Sequence, residues 1–184
     1  ALRASSSCDQ PISRRDSLVS AIARRITYAS VLGFSPSASS REAENEVWLA
    51  AEFGLAVGAH PGYPDRARFG RVPLAATPDE IVAWVTQQTE ALAEHAAALG
   101  LRLAHVKPHG ALYNVAAVDR EVAQAIVRAV AAFEPGLLVV GLSGSLLIEE
   151  AQAWGVAALN EAFADRRYDP RGALVSRETP DALL

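Results

Sequence analysis

Arg102-Leu103-Ala104-His105-Val106-Lys107-Pro108-His109-Gly110-Ala111-Leu112-Tyr113-Asn114 is the stretch that decides the fold. Arg102 to Val106 reads as a short buried strand. Lys107, Pro108, His109 and Gly110 then take the chain sharply out of it and present titratable groups at its carboxyl end. Lys107 is the only lysine, and the sixteen other basic residues are all arginine. A compact, deprotonatable ammonium is a different tool from a guanidinium fork, so its placement in this loop marks a candidate site. A second segment of like character, Gly58-Ala59-His60-Pro61-Gly62-Tyr63-Pro64-Asp65, follows the apolar run Leu55 to Gly58. Two His-bearing loops, each after a strand, read as the rim of one active site.

Around these loops strands and helices alternate. Ser39-Ser40-Arg41-Glu42 forms a capping box for a helix over Glu44 to Phe53, which Gly54 ends. Thr77-Pro78-Asp79-Glu80 supplies an N-cap, a first-turn proline and a reaching glutamate for a long helix that stops at Gly100. Its apolar side holds Ile81, Val82, Trp84, Val85, Leu92 and Leu99. Asp119 caps a helix to about Phe133. Strands follow at Leu137 to Val140 and Val156 to Leu159, with a helix from Ser145 to Trp154 between them. Short apolar strands separated by helices imply parallel crossovers with both sheet faces covered. The fold class is therefore α/β, either a closed or partly closed β/α barrel or, as the alternative, a doubly wound open sheet. Both place chemistry at the carboxyl ends of strands, where His60, Lys107, His109, Ser143, Glu161 and Asp165 all fall.

The 184 residues suffice for one sizeable core, and a composition of 51% apolar and 21% charged residues is globular. A net charge of −4 offers no basic surface for nucleic acid or anionic membrane. The single cysteine, Cys8, excludes an internal disulfide framework and fits a cytoplasmic setting. No apolar run reaches membrane-spanning length, and neither a transmembrane helix nor a signal peptide is read. Eleven of the fourteen serines lie in the first forty residues, against one of the twelve glycines. Residues 1–40 read as a weakly structured lead with one helix over Asp16 to Arg25, and residues 41–184 as the barrel domain.

Three motifs resemble the LamB/YcsF family, the A subunit of bacterial 5-oxoprolinase: Gly58 to Asp65, Val106 to Asn114, and Glu161-Ala-Phe-Ala-Asp165-Arg166-Arg-Tyr168. The intervening Gly141-Leu-Ser-Gly-Ser145 is similar as well. The resemblance runs from about Trp48 to the end. It implies a seven-stranded β/α (TIM-like) barrel of the glycoside hydrolase/deacetylase type, here incomplete. It also implies ATP-dependent opening of 5-oxo-L-proline to L-glutamate with separate B and C subunits. The family's Asp-Leu-Asn-x-Asp-x-Gly-Glu strand and Asn-Ile-Ala-Cys-Gly-x-His-x-Gly-Asp loop do not occur in residues 1–47, and the family's final strand and His-Gly-Asp loop do not follow Leu184. These departures suggest a truncated or frame-disrupted product.

The resemblance assigns roles to particular residues. Lys107 offsets charge developing on the lactam carbonyl, His60 or His109 acts as base, and Asp65 is a further catalytic candidate as a proton acceptor. Tyr63, Tyr113, Asn114, Glu161, Asp165 and Arg166 contact substrate, and ATP falls mainly to the partner subunits. An alternative is a metal-dependent amide or N-acetyl hydrolase in which His60, His109 and Asp65 hold a divalent ion; a third is an inactive fragment. Each residue also has a structural role open to it. Lys107 can fasten its loop through a carboxylate, Asp65 can cap a turn, Asp165 and Arg166 can pair, and Tyr63 and Asn114 can serve packing and turns. His95 and His105 read as structural. Gly141 to Ser145 reads as a helix cap rather than a phosphate cradle, because no Gly-Lys-Ser/Thr follows.

Overall fold

The computed structural model describes residues 40–177 and 179–184. The serine-rich lead, its Asp16 to Arg25 helix and the Ser39 cap lie outside the described residues. Helix α1 (Ser40–Glu52) leads to strand β1 (Val57–Ala59), and α2 (Pro78–Ala98) leads to β2 (Leu103–Val106). Then come α3 (Gly110–Ala116), α4 (Arg120–Phe133), β3 (Leu138–Leu142), α5 (Leu146–Ala153) and β4 (Ala158–Glu161). Among the described residues no helix is long and apolar enough to cross a membrane.

All four strands are parallel and lie in the sheet in chain order, β1-β2-β3-β4. That order separates the two architectures left open above. A doubly wound sheet reverses direction partway, whereas a barrel wall adds each strand beside the last. The helices agree, since α2 packs on α4 and α4 on α5 as a single layer over the sheet. The described residues are thus a β/α-barrel wall. β3 is buried along its whole length, and β4 at the edge is half-exposed.

Local chemistry accounts for the helix ends. The Thr77 side chain accepts from Glu80 N, and Glu80 Oε2 accepts from Thr77 N at 2.7 Å, so the capping box is complete. Asp119 Oδ1 accepts from Glu121 N and Val122 N, and Ser145 accepts from Ile148 N. On α2 the buried residues are Ile81, Val85, Thr89, Leu92 and Ala96, one stripe at helical spacing. The Thr89 hydroxyl is satisfied within the stripe by Val85 O at 2.7 Å.

Two expectations need correction. Leu99 does not belong to the apolar side, because it lies beyond the last turn and is 43% exposed. The first strand starts at Val57, later than Leu55, because Leu55 N closes the end of α1 by donating to Ala50 O. Beyond the His109 turn, Gly110 to Ala116 forms a short helix that buries Ala111, Leu112, Tyr113 and Ala116.

The β1–β2 register shifts between Val57 and Gly58, which pair with Leu103 and His105 and leave Ala104 as an extra residue. His105 is fully buried, and a Cβ on Gly58 would fall on its imidazole ring. Gly58 is therefore required by the ring beside it rather than by backbone freedom. Gly58→Ala is expected to cost ~1–3 kcal/mol or more through overpacking. In a denaturation cycle, His105→Ala should remove most of the additional cost of Gly58→Ala; an equal penalty in both backgrounds would show that the ring is not what Gly58 accommodates.

Candidate active site

The sheet ladder continues past the strand ends and sets the site. Lys107 N donates to Ala59 O at 2.9 Å and His109 N to Pro61 O at 2.8 Å, so the loops after β1 and β2 are joined to each other. Ser143 N donates to Glu161 O at 3.0 Å and does the same for the ends of β3 and β4. Gly110 takes φ +56° where a Cβ would lie 2.5 Å from Gly70 O, and Ala111 N donates to that same oxygen. The chain between the two His loops is thereby folded tightly over His109.

His60 and His109 meet with His60 Nε2 and His109 Nδ1 3.0 Å apart, their rings edge to face. The outer nitrogens point at carbonyls: His60 Nδ1 at Lys107 O (2.5 Å) and His109 Nε2 at Phe69 O (2.9 Å). Carbonyl oxygens only accept, so both outer nitrogens must carry a proton, and the central contact needs a third. Two neutral imidazoles supply only two. One contact therefore lacks its proton while the pair is neutral, and one added proton satisfies all three.

Burial opposes that added charge. It lowers His60 to about 4, helped by His109 and resisted by the bond to Lys107 O. Burial also lowers His109, against the bond to Phe69 O, with Arg71 adding to the fall. His105 is lowered to about 4 by burial and then by Lys107. The pair is uncharged at neutral pH.

Lys107 Nζ reaches Glu161 Oε2 at 2.7 Å and lies 5.4 Å from the centre of the Phe163 ring. Tyr113 stands edge to face with Phe163 at 6.1 Å. Its hydroxyl is raised far above the ordinary phenol range by burial, then by Glu161 and Tyr168. Although that hydroxyl is within interaction range of the carboxylate, neither Tyr113 Oη nor Glu161 Oε1 completes a hydrogen bond. A buried donor and a buried acceptor are thus left open beside an ammonium.

The structure therefore brings His60, Lys107, His109, Tyr113 and Glu161 together. The remaining candidates are engaged elsewhere. Asp65 caps the short 3₁₀ turn Arg66–Arg68 and pairs with Arg68 at 2.7 Å. Tyr63 is 1% exposed in the main core, edge to face with Trp84. Asn114 is exposed on α3. Asp165 is exposed, whereas Arg166 is buried and donates to Val175 O at 2.6 Å, so the two form no ion pair with each other. His95, on α2, is half-buried and belongs to none of these contacts. Sequence reasoning missed Gln88 and Phe163, whose roles depend on contacts 26 residues away and on the approach of Lys107.

A divalent ion needs free lone pairs and a third ligand. The outer ring nitrogens of His60 and His109 face carbonyl oxygens, and Asp65, the expected third ligand, is tied to Arg68. Among the described residues no group of three His, Cys, Asp or Glu side chains is spaced to hold a metal. The expected His60–His109–Asp65 triad is not assembled by this arrangement.

With the fold and these contacts established, relatives can be compared. The LamB/YcsF family matches residues 32–184. The chain belongs to the LamB/YcsF family. The match starts earlier than the Trp48 expected from the motifs. Similar family proteins include the 5-oxoprolinase A subunit of Chloroflexus aurantiacus, 58% identical over 133 residues, covering 72% of this chain and 53% of that protein. That of Methylococcus capsulatus is 54% identical, covering 75% and 53%, and that of Neisseria meningitidis 42% identical, covering 89% and 67%. The solved structure of a lactam utilization protein from Thermus thermophilus matches with a TM-score of 0.75 at 44% identity, over 85% of this chain and 62% of that one. The chain thus spans about half the length of several curated LamB/YcsF relatives.

The titrations predict a pH dependence. A folded-state pKa below the unfolded value means that the unfolded chain binds more protons, so stability rises with pH across the interval. For His60 and His105 that interval runs from 6.5 down to about 4. Unfolding free energy from urea titrations should fall between pH 7 and pH 5, where ordinary carboxylates remain ionised, and continue to fall towards pH 4. A flat or rising profile between pH 7 and pH 5 would contradict the buried, uncharged histidines.

Proposed function

We propose that this chain supplies part of the A subunit of a cytoplasmic 5-oxoprolinase, which opens 5-oxo-L-proline to L-glutamate in an ATP-dependent reaction with B and C subunits. The observation that carries this reading is the Lys107–Glu161 pair with its open neighbour atoms. A lactam holds its N–H and C=O on the same side of the ring. It therefore matches a site that offers a donor and an acceptor side by side, Lys107 Nζ and Glu161 Oε2 being 2.7 Å apart. Glu161 would accept from the ring N–H and Lys107 donate to the carbonyl, with the Tyr113 hydroxyl as a further donor. The names of the 5-oxoprolinase relatives and of the lactam utilization neighbour support the same substrate class.

In the reaction, water oxygen bonds to the ring carbonyl carbon, the C–N bond breaks and the ring nitrogen takes a proton. Amide resonance is lost at the attack, and negative charge grows on the carbonyl oxygen; ATP, bound mainly by the partner subunits, would transfer its γ-phosphoryl group to that oxygen with release of ADP. Once the C–N bond has broken, a second water would hydrolyse the resulting acyl phosphate to the glutamate carboxylate and phosphate. Lys107 would stabilise the growing charge. The uncharged His60–His109 pair suits the proton that water gives up, because one further proton satisfies all three of its contacts.

The test combines the chain with B and C subunits and follows glutamate release from 5-oxo-L-proline with and without ATP. ATP-dependent release is expected, and Lys107→Met should lower kcat by roughly 10²-fold or more with little change in KM. Lys107→Arg should restore little, since the planar fork does not occupy an ammonium's position. ATP-independent release, or variants that lose activity only in proportion to lost folded protein, would contradict the assignment.

A further inference from the structure

We infer that Gln88 is a positioning residue for the His60–His109 pair. Gln88 is half-buried in the middle of α2 and grips one residue of the first His loop from both sides. Gly62 N donates to Gln88 Oε1 at 3.0 Å, and Gln88 Nε2 donates to Gly62 O at 2.8 Å. Gly62 is buried beyond the end of β1, where the strand ladder no longer serves these groups. The glutamine amide offers a donor and an acceptor at this spacing; an ionised carboxylate lacks the donor, and asparagine is one methylene shorter.

The grip reaches the histidines through close packing. A Cβ on Gly62 would lie 3.2 Å from His109 Cβ, and one on Gly70 would lie 3.3 Å from His109 Cδ2. His109 is thus held between the two glycines, while its own N–H donates to Pro61 O, one residue before the gripped Gly62. Displacing Gly62 therefore displaces His109, and with it the 3.0 Å contact to His60. Since α2 is anchored by its buried stripe, Gln88 links that helix to the orientation of the pair.

The consequence for turnover rests on the proposed lactam hydrolysis, but the positional claim does not, and the experiment separates them. Imidazole ¹⁵N spectra of His60 and His109 are recorded for the wild-type chain, Gln88→Leu and Gln88→Glu, alongside kcat and KM with the partner subunits. Both variants should fold cooperatively and shift the signals of both histidines. They should lower kcat on the order of 10- to 100-fold with KM nearly unchanged, as expected when reacting groups are displaced slightly. Gln88→Glu should recover towards wild type as its carboxyl group is protonated, because the acid regains the donor to Gly62 O. Histidine signals in Gln88→Leu superimposable on the wild type would overturn the inference whether or not turnover is observed. So would a loss of kcat that merely follows the folded fraction. Absence of turnover in the wild type would count against lactam hydrolysis alone, leaving the spectra to decide the role of Gln88.

Discussion

Lys107 and Glu161 leave strands that are not neighbours: β2 and β4 are separated by β3, and the ion pair spans the carboxyl edge between them. Partly exposed pairs of this kind contribute only ~0–1 kcal/mol to folding, so the importance of this one is geometric. It fixes an ammonium above the Phe163 face and leaves the second carboxylate oxygen buried without a hydrogen-bond partner. Breaking it would leave a carboxylate with one open oxygen already and no counter-charge at 2.7 Å. The donor and acceptor of the proposed lactam site both depend on this contact.

The backbone explains why the contact forms. Parallel strands laid down in chain order bring successive loops to one edge, and here the ladder runs on into those loops through Lys107 N and His109 N. Side chains far apart in the sequence are thereby placed by main-chain hydrogen bonds. The same continuation presents Lys107 O to His60, so the residue that carries the positive charge also orients the histidine pair through its carbonyl. The ammonium and the histidine pair are coupled through one residue.

Much of this is legible in the sequence because its signals are local. Thr77, Asp119 and Ser145 mark helix starts by side chains that bond within three residues, and Gly100 ends α2 at φ +71°. The two His loops and Lys107 are visible as residues that follow strands, and Glu161 as one at the carboxyl end of a strand. Other features require contacts between distant segments. Nothing near Gly58 announces that His105 will lie against it, and nothing near Gln88 announces Gly62. Tyr63 shares a motif with His60, but three residues further on its side chain turns into the core. Arg166 follows Asp165 in sequence, yet it is buried against the Val175 carbonyl, a partner supplied by the irregular segment that follows. The short helix at Gly110 carries little sequence signal because it opens on a glycine and lasts only seven residues.

Because Lys107 is the only lysine, its ammonium can be observed without ambiguity in the intact chain. Selective ¹⁵N-lysine labelling should give one Nζ resonance, and ammonium protons held by Glu161 should exchange slowly with water compared with free lysine. Glu161→Gln should move that resonance and speed the exchange, while leaving the fold intact by circular dichroism. A signal indistinguishable from free lysine, unchanged by Glu161→Gln, would show that the ion pair does not organise the carboxyl edge of the sheet.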